Sequence, residues 1–292
     1  MASRLFCFGF GYSAKALAER CLASGWSVAG TARTSEKAEA IRALGVDAFV
    51  FDGGRPLADV AAVLDGATHL LISAPPGRAG DPALSAHGDD IAALKNLAWV
   101  GYLSTTGVYG DTGGAPVDES APLAPTSTRS RQRADAEAAW LRLRRDSGVP
   151  VHVFRLAGIY GPGRSTLDQV RAGTARRIDR PGHLFSRIHV DDIANVLWAS
   201  IARPDPGAVY NVCDDEPAAP ADVVAEACRL LGVAPPPLLP FDEVAKDMSE
   251  MAKSFWRDNR RVVNDRIKRD LGVTLLYPDY RAGLQAVLDA GG

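Results

Sequence analysis

Short apolar runs alternate with amphipathic stretches through the first half of the chain. The run RLFCF predicts a strand at Arg4–Phe8, and the periodic stretch after it predicts a helix from Ser13. A strand at Trp26–Ala32, a helix from Ser35 and a strand at Val46–Phe51 follow. A short helix near Leu57–Leu64 leads to the strand THLLIS, a helix across Leu84–Leu97 leads to WVGYLST, and a helix from about Ser130 leads to VPVHVFRL. Strands that read as continuous apolar runs are buried on both faces, and parallel strands need crossover helices between them. The pattern therefore predicts an α/β fold built on a doubly wound parallel sheet.

After Leu156 the alternation fails, and Gly and Pro become frequent in GIYGPGR, RPGHLF and ARPDPGAVY. Short elements separated by such breakers predict a smaller α/β carboxy-terminal lobe. The expected division is residues 1–156 for the sheet domain and 157–292 for a mixed substrate lobe, with some of its segments returning to the first. A cleft is expected between the lobes, beyond the carboxyl ends of the strands.

Composition narrows the classes of function. The 292 residues are 47% hydrophobic, enough to bury a sizeable core. With 33 Lys and Arg against 35 Asp and Glu, the net charge is −2, so no broad basic field exists to hold nucleic acid or an anionic membrane. The expected partner is a small-molecule substrate, with no nucleic acid and no membrane, and the chain is expected to be a monomer or homodimer. Cys7, Cys21, Cys213 and Cys228 lie far apart without a CxxC pair; they read as buried free thiols of a reducing compartment, and no metal site is predicted. No stretch approaches the roughly 18 apolar residues of a membrane span, and no charged-then-apolar leader opens the sequence, so the expected location is cytoplasmic.

The first strand runs directly into Gly9, Gly11 and Ala14, and a helix follows at once. This is the sequence form of a Rossmann-type dinucleotide-binding turn. Gly9 and Gly11 let the backbone turn and approach a pyrophosphate, Ala14 lets the helix pack on the strand, and the helix amino terminus offers N–H groups. The expected contacts are Gly9, Phe10, Gly11, Tyr12, Ser13 and Ala14; the alternative is a tight turn with no ligand. About 20 residues on, where NAD-selective folds place an acid on the ribose, stand Thr31, Ala32 and Arg33. The Arg33 guanidinium can pair with a 2′-phosphate that an acid would repel, so NADP(H) is favoured. Asp52, after the third strand, keeps NAD(H) open.

At YLSTTGVYGD, Tyr102–Asp111, the chain begins to resemble the extended short-chain dehydrogenase/reductase superfamily, which includes nucleotide-sugar epimerases and dehydratases. RLAGIYGPGR at Arg155–Arg164, IHVDDIA at Ile188–Ala194 and VYNVCDDEP at Val209–Pro217 are similar to its successive motifs, and RRVVNDRIKRDLGVTLLYPDYRAGL resembles the end of its atypical, NAD-dependent epimerase/dehydratase-like subgroup. The resemblance implies a Ser or Thr that polarises a substrate oxygen, a Tyr that exchanges its proton, and a Lys four residues later. Thr105 matches the first position. Alignment through Pro125 and Glu137 puts Arg129 where the Tyr belongs and Arg133 where the Lys belongs. The resemblance further implies cofactor contacts from Ser73, Ala74 and Pro75 of SAPPG and from Ser104.

Arginine stays protonated, so Arg129 cannot exchange a proton near neutral pH, although Arg133 could still donate to ribose hydroxyls. Three readings stay open. Another acid replaces the phenol: Tyr109, Tyr160 or His189, each with a structural alternative in turn or core packing. Arg129, Arg164 and Arg187 gather over the cleft and bind an anionic substrate, or serve in surface salt bridges. Finally, hydride chemistry has been lost and the protein senses NADP(H). The preferred reading is an oxidoreductase or epimerase transferring hydride, with Thr105 and Tyr109 as its catalytic candidates and Tyr160, Arg129, Arg164, Arg187 and His189 toward the substrate. Asp135 and Glu137 read as exposed partners of Arg142 and Arg145, and Arg257–Arg269 as a solvated helix face. Trp26, Trp99, Trp140 and Trp198 suit core packing, while Trp256 has no evident place.

Overall fold

In the computed structural model, which describes residues 3–291, the apolar runs of the amino-terminal half form β1 (Arg4–Phe8), β2 (Ser27–Ala32), β3 (Asp47–Val50), β4 (His69–Ile72) and β5 (Trp99–Thr105). With Val151–Leu156 and Val209–Val212 they make one seven-stranded parallel sheet. Its order runs from Val209–Val212 through Val151–Leu156, β5, β4, β1 and β2 to β3. The crossovers are α1 (Tyr12–Ala23), α2 (Ser35–Arg42), α3 (Val60–Leu64), α4 (Pro82–Ala92) and α5 (Thr128–Ser147). The doubly wound α/β class predicted from the apolar pattern is the one observed. Caps explain where boundaries moved. Asp59 accepts from the Ala62 N–H and starts α3 at Val60, while Asp81, followed by Pro82, accepts from the Leu84 N–H and starts α4 before the predicted Leu84.

The chain divides into two compact units. Unit 1 comprises the chain to Thr105, Thr128–Arg155 and Ile193–Tyr210; unit 2 comprises Thr106–Ser127, Leu156–Asp192 and the chain from Asn211 onward. In unit 1, Phe6 and Phe8 lie on one face of β1 with ring centroids 4.9 Å apart, and Phe8 meets Phe51 edge-on at 5.9 Å. Trp140 of α5 stacks on Tyr102 of β5. Trp99 and Trp140 are fully buried core residues as expected. Trp26 and Trp198 are not: they are half-buried, 5.3 Å apart, with the Arg20 guanidinium over Trp198. All four thiols are free and buried.

Unit 2 is built from short pieces. Gly158–Tyr160 pairs in parallel with Arg187–His189, Arg177–Asp179 with Leu238–Pro240, and Pro116–Val117 with Arg261–Val262. Its main core joins Tyr160 and Leu167 to Val223 and Ala227 of helix Pro220–Leu231 and to Tyr280, Leu284 and Val287 of helix Tyr280–Asp289. Trp256 finds its place in a second nucleus with Ile178 and Val244, stacked on His183 and edge-on to Phe185. The basic run does not form one solvated helix face. It spans the end of helix Glu250–Arg257, the strand Arg261–Val262 and helix Asp265–Leu271, and Arg260 is fixed between the Gly110 carbonyl and Asp258. Among the described residues no helix is long and apolar enough to cross a membrane.

Candidate functional site

The glycine loop of unit 1 has the backbone that its sequence requires. Gly9 adopts φ +86°, and a Cβ there would come within 2.8 Å of the Ala74 amide nitrogen, so both conformation and space demand glycine. The Ser73 and Ala74 amides both donate to the Phe8 carbonyl, which holds the SAPPG segment against the loop. The far side is held by Thr31: its hydroxyl accepts from the Gly9 N–H at 2.8 Å and its carbonyl from the Phe10 N–H at 2.8 Å. Phe10 lies over Gly30, where a Cβ would be 2.8 Å from its ring. Gly11 caps α1 and has no side chain with which to satisfy the first turn, while Ser13 and Ala14 are buried beneath it. A helix amino terminus without a side-chain cap, beside a loop that excludes Cβ atoms, is the cradle a diphosphate needs. Arg33 and Asp52 are both exposed, and Asp52 accepts from the Gly54 N–H at 2.8 Å.

At the end of β5, Thr105 is half-buried and Ser104 is buried. The sequence reading of Glu137 as an exposed partner of helix arginines is overturned: only 2% of it is exposed. Its carboxylate accepts from Arg155 Nη2 at 2.8 Å and Nε at 3.2 Å, and from the Ser104 hydroxyl. One helical turn earlier on α5, Arg133 donates to the Leu103 carbonyl, with its guanidinium near the Tyr102 ring. Two side chains at i and i+4 of α5 thus grip consecutive residues immediately before Thr105. Arg129 is exposed at the start of the same helix.

In unit 2, Tyr109 is buried in the turn after Thr106 and donates from its hydroxyl to Asn211 Oδ1 at 2.7 Å. The pairing of Gly158–Tyr160 with Arg187–His189 sets Arg187 opposite Gly158 and His189 opposite Tyr160. Strand alternation therefore brings Tyr160, Arg187 and His189 to one face of this ladder, and the Tyr160 and His189 rings meet edge-on at 5.2 Å. Arg164 is exposed in the turn closed by its pairing with Gly161. His189 Nδ1 accepts from the Asp191 N–H at 3.2 Å, which puts the neutral ring's proton on the buried Nε2. Burial lowers the pKa of His189, with Asp191 opposing, and burial raises that of the Tyr160 phenol.

Sequence reasoning missed Asp214. It is 1% exposed, and neither carboxylate oxygen has a hydrogen-bond partner. Burial pushes its carboxyl up to about 8, against the pull of the Arg187 guanidinium and backbone amide; Asp215 and Asp279 push the same way as burial. The signal was present only as an acid doublet directly after an apolar strand.

A sequence profile of the NAD dependent epimerase/dehydratase family matches residues 90–213. Protein YeeZ of Escherichia coli K12 is 30% identical over 93% of this chain and 95% of its own length. A conserved protein of unknown function from Silicibacter pomeroyi has a solved structure 52% identical to this chain, with a TM-score of 0.91 over 99% of each. UDP-glucuronic acid 4-epimerase from Bacillus cereus, solved with NAD, is 16% identical with a TM-score of 0.75 over 98% of this chain and 97% of its own; it shares the fold.

Proposed function

Because the chain belongs to the NAD-dependent epimerase/dehydratase family, we propose that it is a pyridine-nucleotide-dependent oxidoreductase or epimerase acting on a small metabolite in the cytoplasm, as a monomer or homodimer. The observation that carries this reading is the loop at Gly9, where φ and the approach of Ala74 admit no side chain and the helix behind it opens without a cap. Gly9 to Ala14, Ser73 and Ala74 would hold the diphosphate. Arg33 would meet a 2′-phosphate, which favours NADP(H) over NAD(H). The bound nicotinamide would supply hydride transfer. Thr105 would orient a substrate oxygen, and the grips of Arg133 on Leu103 and of Glu137 on Ser104 would keep the end of β5 in place for it.

If the alignment through Pro125 and Glu137 sets Arg129 and Arg133 at the Tyr and Lys positions of the family, the proton donor would lie elsewhere; Arg133, turned to a backbone carbonyl, favours a second reading in which the protein binds NADP(H) without turning it over. Two measurements separate these. Fluorescence titration should give tighter binding of NADPH than NADH, with Arg33→Asp reversing the order; equal or tighter NADH binding by the native protein removes the argument from Arg33. Panels of carbonyl compounds and sugar nucleotides are then followed by nicotinamide absorbance and by product stereochemistry. Turnover that falls with Thr105→Val supports the enzyme, and silence despite tight cofactor binding supports the sensor.

A further inference from the structure

Helix α4 departs from helical geometry at His87, whose φ is −138° and ψ 19°. The residue is 1% exposed, and both ring nitrogens are engaged. Nε2 accepts from the Leu57 N–H at 3.0 Å, so the proton of the neutral ring sits on Nδ1, which donates to Asp90 Oδ2 at 3.0 Å. Phe8 of β1 stacks on the ring at 5.9 Å, and Phe51, just past β3, lies 5.5 Å from it. An imidazole held in this way ties α4 to the loop between β3 and α3.

That loop has a second fastening at its start. Gly53, at φ +83°, lies so near Pro82 of α4 that a Cβ there would stand 2.9 Å from the proline Cβ. Asp52, directly before Gly53, is the candidate contact for the adenosine half of a dinucleotide. The charged groups nearby leave the ring to Asp90. Asp52 accepts from the Gly54 amide, Asp59 from the Ala62 amide and Asp81 from the Leu84 amide, while Arg55 and Asp89 are exposed. Phe8 and Phe51 do not titrate, helix α3 reads VAAVL, and among the described residues Asp90 is the ion-pair partner of His87.

Protonation at Nε2 changes the contact with Leu57 in kind. A ring with two N–H groups has no lone pair left, so one donor would face another and the buried Leu57 N–H would lose its acceptor. We propose that His87 is a proton-operated latch on the Asp52–Leu57 loop, closed on α4 when the ring is neutral and released when Nε2 takes up a proton from solvent. Release loosens the adenosine end of the cofactor site, so dinucleotide affinity falls as pH falls. That consequence rests on the cofactor reading above; the latch itself is tested without cofactor.

His87→Gln separates the two roles of the ring, because its side-chain carbonyl can take the place of Nε2 as acceptor and does not titrate. In the native protein without cofactor, the ring nitrogens of His87, assigned through this variant, and the protection of the Leu57 amide from hydrogen exchange are followed by NMR between about pH 8 and about pH 5, the interval of imidazole titration. Nε2 should gain its proton and Leu57 protection should fall with the same midpoint, by about fivefold, the worth of one net hydrogen bond. The variant should keep that protection throughout. A ring that stays neutral to the acid limit of folding, a Leu57 amide still protected beside a protonated ring, or midpoints that do not coincide overturns the latch, and all three are read on the native protein even if the variant fails to fold. Fluorescence titration with NADPH then compares native protein and variant at each pH, which cancels protonation of the 2′-phosphate. The affinity of the native protein relative to the variant should fall through the His87 midpoint, by no more than about tenfold per pH unit for a single proton, and NADPH should lower that midpoint in return. A constant ratio overturns the coupling to the cofactor. Absence of NADPH binding at every pH, with the latch signals present, overturns the cofactor reading instead.

Discussion

Removing Glu137 tests the buried network of unit 1 most sharply. Its carboxylate takes two nitrogens of Arg155 and the Ser104 hydroxyl in a setting where Glu137 and Arg155 are 2% and 5% exposed. Glu137→Met keeps side-chain length but leaves a buried guanidinium without its anion, a change that costs about 3–5 kcal/mol. Ser104→Ala removes one hydrogen bond to a charged group and should cost about 1.5–3 kcal/mol. Replacing both charges, Glu137→Met with Arg155→Met, should recover most of the loss, because the desolvation of two ions disappears together with their attraction. The assay is urea unfolding by circular dichroism for the native protein and these variants together with Arg155→Met alone, which completes a double-mutant cycle on the Glu137–Arg155 pair. A single Glu137→Met loss below about 1 kcal/mol, within the range of an exposed ion pair, would refute the buried network and restore the surface role that the sequence suggested. A double variant as unstable as the single one would refute the view that the unpaired guanidinium causes the damage.

Gly9→Ala forces a left-handed conformation, itself worth about 1–2 kcal/mol, and presses a methyl onto the Ala74 amide; NADPH binding in a fluorescence titration should be lost while the helical circular dichroism remains. Gly283→Ala puts a methyl onto the Tyr160 hydroxyl and should destabilise by about 1–3 kcal/mol of overpacking; adding Tyr160→Phe should recover part of it in thermal unfolding, and no recovery would count against that contact. Asp214 titrates at about 8 when folded and in the ordinary carboxyl range when unfolded, so between about pH 4 and about pH 8 the folded state holds the extra proton and stability falls as pH rises. The stability of Asp214→Asn relative to the native protein should therefore climb across that window in urea midpoints, and a flat difference would contradict the raised titration.

The apolar strands and the glycine loop were legible because burial on both faces leaves continuous hydrophobic runs, and because a backbone at φ +86° leaves glycine as its trace. Glu137 was not. Helix α5 is polar almost all round, and its buried face consists of Ala136, Glu137 and Trp140, so no periodic apolar stripe marked the side on which an acid would be trapped. Arg155 lay inside an apparently apolar strand, and a pairing between residues 18 positions apart in sequence leaves no local signal. Asp214 was hidden for a similar reason: next to Asp215 and Glu216 it reads as one acid of a solvated turn, and only tertiary packing separates the one that is buried from the one that binds Lys268. Trp256 needed His183, Phe185 and Phe241, each distant in sequence, before it had a place.

The polypeptide switches between its two units at five points, after Thr105, Ser127, Arg155, Asp192 and Tyr210. No single scissor cut can therefore release either half as a continuous fragment. A gene truncated after residue 156 would forfeit the border strand Val209–Val212 and leave Val151–Leu156 as a raw sheet margin, inviting aggregation. Grafting the later unit between relatives would likewise have to carry Thr106–Ser127 along and leave Ile193–Tyr210 behind.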